Sequence, residues 1–406
     1  MRGLAPATQG WRGGLAVAAG GCMPVGKLLV VRELVAIDMP GGEGFVAELR
    51  RAWDSGDAIL PVDQRLPDAV KARILDAMRP SWVVTAGGRS RLRQGEPVES
   101  GDALVMATSG TTGAPKGVVL THDAVKASAV ATSTRLGVDP GSHRWLACLP
   151  LSHVGGLSVV TRSLLTGTFL TVLPGFDKDE VVAAAGRDVF VSLVATALRR
   201  VSADLFHTVV LGGSAPPADL PANVVTTYGM TETGSGVVYD GIPLDGVEVD
   251  VDPTAENPTG EIRLRGPMLL RAYRDGTVPL DTAGWFATGD AGSFDAGGRL
   301  LVAGRIGDLI ITGGENVWPA PVEAAIASHP KVAEVAVAGR PDPEWGQRVV
   351  AWVVPAETAE PPALDELRAL VAETVAPFAA PKEMVIVDSL PKTAIGKVRR
   401  DLLTGP

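Results

Sequence analysis

The chain has 406 residues, of which 46% are hydrophobic and 20% charged, and its net charge is −9. That suffices for one large and one small domain with sizeable cores, and it excludes an intrinsically disordered chain. The acidic balance excludes a general nucleic-acid or anionic-membrane binder, since both reward basic surfaces.

Cys22 and Cys148 are the only cysteines. Two are too few for a disulfide framework or a cysteine zinc site, and a reducing cytoplasm fits best. After Arg12, the run 13–22 is apolar but short and glycine-rich. It makes a poor export signal, and 1–24 is expected to be a flexible or misassigned start. No other stretch approaches the roughly 18 apolar residues of a membrane span. From 25 to 305, Val-rich strands alternate with Ala-rich helical stretches, as in an α/β domain.

Residues 108–117 read Thr-Ser-Gly-Thr-Thr-Gly-Ala-Pro-Lys-Gly, between the apolar runs 103–106 and 118–120. This predicts a strand, a tight loop and a second strand. Glycines let the backbone approach an anion, and successive N–H groups form a nest for it. The hydroxyls of Thr108, Ser109, Thr111 and Thr112 can donate to phosphate oxygens, and Lys116 adds a point charge. A Walker A loop needs Gly-Lys-Ser/Thr opening a helix, whereas here Lys116 precedes Gly117.

A helix is expected over 124–136. Leu-Pro-Leu-Ser-His-Val-Gly-Gly-Leu follows at 149–157, and 158–167 reads as a helix on the core with Arg162 inside it. A charge in that setting requires a partner or a pocket. Stretches 208–211 and 223–226 read as buried strands ending in Gly or Tyr-Gly turns. The first turn continues Gly212-Gly213-Ser214-Ala215-Pro216, and the second Thr227-Tyr228-Gly229-Met230-Thr231-Glu232-Thr233. Ligands of open α/β sheets bind beyond the carboxyl ends of strands, where both blocks fall.

Gly284-Trp285-Phe286-Ala287-Thr288-Gly289-Asp290 precedes the strand 300–303 and Gly304-Arg305. A second unit starts near Ile306, with a short strand over 308–312 and a helix over 319–328. Paired strands follow over 332–338 and 349–354. An amphipathic helix spans 364–375, with Leu364, Leu367, Leu370 and Val371 on one side. The chain closes on Pro391-Lys392-Thr393-Ala394-Ile395-Gly396-Lys397-Val398-Arg399-Arg400 and a short tail.

From about 101 onward these blocks resemble, in the family's order, the acyl-adenylate-forming enzymes: acyl-CoA synthetases, adenylation domains and luciferases. The resemblance implies an α/β fold, with a large multi-sheet N-terminal domain (25–305) and a small mobile α+β C-terminal domain (306–406). It implies ATP, Mg²⁺ and coenzyme A as cofactor and co-substrates, and allows a homodimer. Thr108, Ser109, Gly110, Thr111, Thr112, Gly113 and Lys116 would hold the ATP phosphates. Gly212, Gly213, Ser214, Tyr228 and Gly229 would line the adenine site, the tyrosine ring stacking on the base.

By the same resemblance, Thr231 would donate to the α-phosphate, and Glu232 is an oxygen ligand suited to Mg²⁺. Asp290 would accept from the ribose hydroxyls, with Arg305 beside it. Lys397 would be the catalytic lysine, bridging the acyl carboxylate and the α-phosphate, and Lys116 and Thr231 would share in catalysis. Gly307 would be the hinge, where relatives often carry Asp or Lys, and Gly314 would line the pantetheine passage. Only 107 residues precede the loop. Relatives usually carry well over a hundred, so the first subdomain is expected to be shortened.

His153 and Gly156 match the block where relatives place the acyl pocket wall. The stretch around Arg162 resembles the o-succinylbenzoate–CoA ligases of menaquinone biosynthesis, whose substrate has a second carboxylate that an arginine could take in a bidentate grip. The bland alternative is an ion pair between Arg162 and a core acid. Another aryl or short acyl acid, a stand-alone adenylation module loading a carrier protein, and a non-catalytic relative are the other functional readings.

Overall fold

The computed structural model describes residues 31–109, 115–217, 219–254, 257–357, 360–392 and 398–403. The segment 1–24, the loop residues Gly110, Thr111, Thr112 and Gly113, and Lys397 lie outside them. Strands covered on both faces read as continuous apolar runs. Leu34–Asp38 and Ala58–Pro61 do so, and they pair in parallel at the centre of a seven-stranded sheet. Asp102–Ser109 joins this sheet beside Ala58–Pro61 and turns back as the antiparallel strand Pro115–Thr121. The expected strand, loop and strand around the phosphate motif therefore form a hairpin, with Thr108 opposite Lys116.

The strand entering that hairpin is anchored at its start. Asp102, 1% exposed, accepts from Arg271 Nε at 2.8 Å and Nη2 at 3.0 Å. A buried carboxylate needs such a partner, and the bidentate fork supplies it.

A second seven-stranded sheet holds Phe206–Gly212 and Val224–Met230 side by side in parallel. The tyrosine-glycine pair, expected as a turn, continues the second of these strands to Met230, against Ser235–Tyr239. The reason is steric. A Cβ on Gly229 would fall well inside contact distance of the Ser235 carbonyl, so glycine alone lets the two backbones approach.

Two helices lie between the sheets. His122–Leu136 touches the hairpin strands of the first sheet, and Val154–Thr166 rests on Arg144–Ala147 and Gly186–Val194 of the second. The first helix starts two residues before the expected 124. The Thr121 hydroxyl accepts from Ala124 N–H at 3.1 Å, which caps that turn, and Gly137 ends the helix at φ 65°.

A four-stranded antiparallel sheet follows, carrying Phe286–Phe294 beside Leu300–Arg305. A five-stranded sheet comes last, with a core drawn only from residues 310 onward. Its long antiparallel pair, Val332–Asp342 at the edge and Gly346–Pro355 beside it, is longer than expected. The strand expected over 308–312 shortens to Ile310–Thr312, because Ile306–Asp308 forms a 3₁₀ turn. Of the helix Leu364–Thr374, Leu367 and Val371 are buried while Leu364 and Leu370 are half-buried, a narrower stripe than the spacing suggested. Among the described residues no helix is long and apolar enough to cross a membrane.

Two glycines give contrasting tests. Gly229→Ala should lower stability by about 1–3 kcal/mol through overpacking against Ser235. Gly307→Ala should leave the melting temperature unchanged, since its Cβ would enter open space and its φ is not left-handed. Thermal unfolding of the two variants checks both statements.

Candidate active site

Gly212, the end of its strand, and Thr227, just past the parallel-paired part of the neighbouring strand, almost touch. A Cβ on Gly212 would lie 2.7 Å from Thr227 Oγ1, which itself donates to the Leu211 carbonyl at 3.3 Å. The close approach brings the 212–214 and 227–229 segments to one carboxyl edge. Gly213 turns the chain there at φ 90°, a conformation that favours glycine, and Ser214 is exposed.

Asp290 closes this edge from the third sheet. It is 7% exposed, and its carboxylate accepts from the Tyr228 hydroxyl at 2.9 Å and from Arg305 Nε at 2.9 Å. Asp290 and Arg305 sit directly opposite in antiparallel register, so the pairing of the strands fixes the ion pair. Arg305 Nη1 also donates to the Thr288 carbonyl at 3.0 Å. Burial, and then the Asp290 charge, push the Tyr228 phenol far above its usual range, so it stays a donor.

Thr231–Thr233 forms a 3₁₀ turn at the end of the second-sheet strand, with Thr231 and Glu232 half-buried. Tyr273 donates to Glu232 Oε1 at 3.1 Å, and Lys116 Nζ stands 5.4 Å from the Tyr273 ring centroid. Thr108 Oγ1 donates to the Lys116 carbonyl at 3.3 Å across the hairpin. The structure thus joins Lys116 and Glu232 through a residue that the motifs did not flag. Tyr273 lies on Ala272–Tyr273, paired with Val118 of the hairpin. The one available signal was composition: the chain has three tyrosines, and two of them prove to hold carboxylates of this site.

Glu232 fits a hard divalent cation. It offers a half-buried carboxylate whose described neighbours are a threonine and a tyrosine hydroxyl, with a lysine beyond them.

His153 stands at the N-cap of Val154–Thr166 in extended conformation, its side chain making no cap bond to the helix. Its Nε2 lies 3.4 Å from Asp63 Oδ2 instead. Gly156 is buried where the Leu149 and Pro150 carbonyls press on the helix; a Cβ would lie 2.5 Å from the Leu149 oxygen. Arg162 is on the same helix, nine residues beyond His153, a rise of about 13 Å. The two are therefore at opposite ends of the element rather than together.

Arg162 is 2% exposed. Its Nη2 donates to Ser235 Oγ at 3.2 Å and its guanidinium carbon stands 4.6 Å from the Trp145 ring centroid. Among the described residues Nη1 has no hydrogen-bond partner, and no carboxylate forms an ion pair with Arg162. The alternative of a core ion pair is thus not what the structure holds. Burial lowers the pKa of this guanidinium. The cavity it lines, with Leu104, Ser128, Leu157 and Gly234, measures ≈ 10 Å³, space for about one water.

Gly307 lies in the Ile306–Asp308 turn immediately after Arg305. Gly313 and Gly314, at φ 61° and 85°, make the two-residue hairpin turn between Ile310–Thr312 and Glu315–Val317.

The family comparisons agree with this geometry. Residues 46–274 match the AMP-binding enzyme model and 321–397 the AMP-binding enzyme C-terminal domain model. A probable 2-succinylbenzoate–CoA ligase of Mycobacterium tuberculosis is 44% identical over 339 residues, covering 77% of this chain and 86% of that protein. The o-succinylbenzoate CoA synthetase from Bacillus subtilis, solved in complex with the acyl-adenylate intermediate OSB-AMP, superposes with a TM-score of 0.80. It is 28% identical, over 93% of this chain and 89% of that one. The same enzyme solved with ATP and magnesium ion also gives 0.80, at 27% identity over 91% and 89%. On these matches the chain belongs to the AMP-binding enzyme family and is an AMP-forming acid–thiol ligase.

Proposed function

We propose that this chain is an ATP-dependent 2-succinylbenzoate–CoA ligase acting through an acyl-AMP intermediate in the cytoplasm, where ATP and CoA are supplied. The observation that carries the reading is the convergence of Tyr228, Asp290 and Arg305 on one edge, with Lys116, Tyr273 and Glu232 beside the phosphate hairpin. The similarity to 2-succinylbenzoate–CoA ligases supports the choice of acid.

In the first half-reaction the acid's carboxylate attacks the α-phosphorus of ATP, giving acyl-AMP and pyrophosphate. Asp290 and Arg305 orient the ribose, the Tyr228 ring faces the base, and Lys116 and Thr231 meet the phosphates. Glu232 would hold Mg²⁺, which when bound offsets phosphate charge. Lys397 stabilises the charge gathering on the pentavalent phosphorus. Rotation about Gly307 then removes the lysine, and the CoA thiolate, arriving past Gly314, displaces AMP. Closure keeps water from a hydrolysable intermediate.

Arg162 is assigned to the acid's second carboxylate. A buried guanidinium without a described carboxylate, and with one nitrogen unbonded, is the kind of group an incoming anion stabilises. The helices His122–Leu136 and Val154–Thr166 must part to admit it, since the cavity holds only about one water.

Three measurements test this. With ATP and CoA, a panel of carboxylic acids should give AMP and thioester fastest with 2-succinylbenzoate; preference for a monocarboxylic acid overturns the choice. Lys397→Ala should slow adenylation by about a hundredfold or more, yet spare thioester formation from supplied acyl-AMP. Equal damage to both half-reactions would make the lysine structural. Arg162→Leu should cost about 3 kcal/mol, or about a hundredfold in kcat/KM, with 2-succinylbenzoate and far less with a monocarboxylic analogue. A uniform loss across acids with a lowered melting temperature would instead assign Arg162 to packing against Trp145 and Ser235.

A further inference from the structure

The strand Ala58–Pro61 ends in Val62 and Asp63 at the carboxyl edge of the first sheet, next to the strand that feeds the phosphate hairpin. Asp63 is 7% exposed. Its Oδ1 accepts from the Arg65 backbone N–H at 3.0 Å and from Arg65 Nε at 2.9 Å, and its Oδ2 accepts from Arg65 Nη2 at 2.6 Å. A two-residue turn and a guanidinium fork from the same residue thus fix the carboxylate plane. Burial alone would raise the Asp63 pKa, but the bonds from Arg65 and His153 outweigh it and hold the group well below the usual carboxylate range.

The same Oδ2 lies 3.4 Å from His153 Nε2, and Arg65 Nη2 is 3.5 Å from that nitrogen. His153 opens the helix Val154–Thr166, which packs on the second sheet. The contact therefore crosses from one sheet to the other. Both of its sides are constrained, one by the Arg65 fork and the other by the helix N-terminus. Nε2 thus faces an acceptor, Asp63 Oδ2, and a donor, Arg65 Nη2, whose short bond of 2.6 Å goes to Asp63 itself; with that bond spent on the carboxylate, Asp63 is the stronger partner of Nε2 and favours the tautomer with its proton there.

We infer that Asp63, locked by Arg65, is a positioning residue that sets the ring orientation and tautomer of His153 at the wall of the acyl pocket. This rests on the reading of His153 as an acyl-pocket residue. It extends that reading, because it hands control of the acid site to the first sheet. The strand that ends before Asp63 is the neighbour of the strand that ends in the phosphate loop, so the acid and the triphosphate are placed by adjacent strands of one sheet.

The test is a double-mutant cycle on the full chain, with KM measured separately for 2-succinylbenzoate and for ATP. His153→Ala and Asp63→Asn should each raise the acid KM by about tenfold and leave the ATP KM within about twofold. The double variant should be no worse than His153→Ala alone, because a residue acting through another adds nothing once that other is gone. Additive effects, or an Asp63→Asn enzyme with unchanged acid KM beside an impaired His153→Ala enzyme, overturn the inference while leaving His153 in the pocket. An unchanged acid KM in His153→Ala removes the pocket reading and the inference together. Should Asp63→Asn fail to fold, ¹H–¹⁵N spectra of the wild-type chain, which has five histidines, decide the matter. A proton on Nε2 of His153 supports the positioning role, and a proton on Nδ1 alone overturns it.

Discussion

One buried carboxylate holds the nucleotide site together. Asp290 is almost wholly removed from water, and a charge in that position persists only with donors around it. Its donors come from two directions: Tyr228 from the second sheet and Arg305 from the neighbouring strand of the third. Because Arg305 is the last residue before the Ile306–Asp308 turn, the same ion pair also fixes where the small domain's chain departs. The residues assigned to ribose, base and hinge thus share one electrostatic constraint.

The two site tyrosines work alike. Each phenol is pushed upward in pKa, first by burial and then by the carboxylate it faces, Asp290 for Tyr228 and Glu232 for Tyr273. Each therefore remains a hydrogen-bond donor across the physiological range and holds its carboxylate in place without adding charge. Tyr273 also presents its ring to Lys116, so one side chain contacts a cation with its ring and an anion with its hydroxyl.

The acid side is organised by a helix rather than by a strand edge. Val154–Thr166 carries His153 at its start and Arg162 near its end, about 13 Å apart. Gly156 lets the 149–150 backbone close on its first turn. The arginine is held by an aromatic face and a serine hydroxyl, and among the described residues by no acid.

The phosphate hairpin, the glycine-rich blocks at the strand ends, the Asp290–Arg305 block and the main elements of the small domain were legible in the sequence; most individual elements of the large domain were not. Each legible feature depends on local chemistry: glycine and hydroxyl residues clustered in loops, and apolar runs that flank them. Extents were less legible. The Tyr228–Gly229 pair reads as a turn, and only the approach of Ser235 shows why it remains strand. Partners separated widely along the chain were not legible at all. Tyr273 reaches Glu232 across 41 positions, Asp63 meets His153 across 90, and Arg162 meets Ser235 across 73. The sequence by itself determined which chemical groups the site possesses, because motif spacing is local. Tertiary structure alone decided which of them touch, because burial and pairing depend on strand order, which no local pattern encodes.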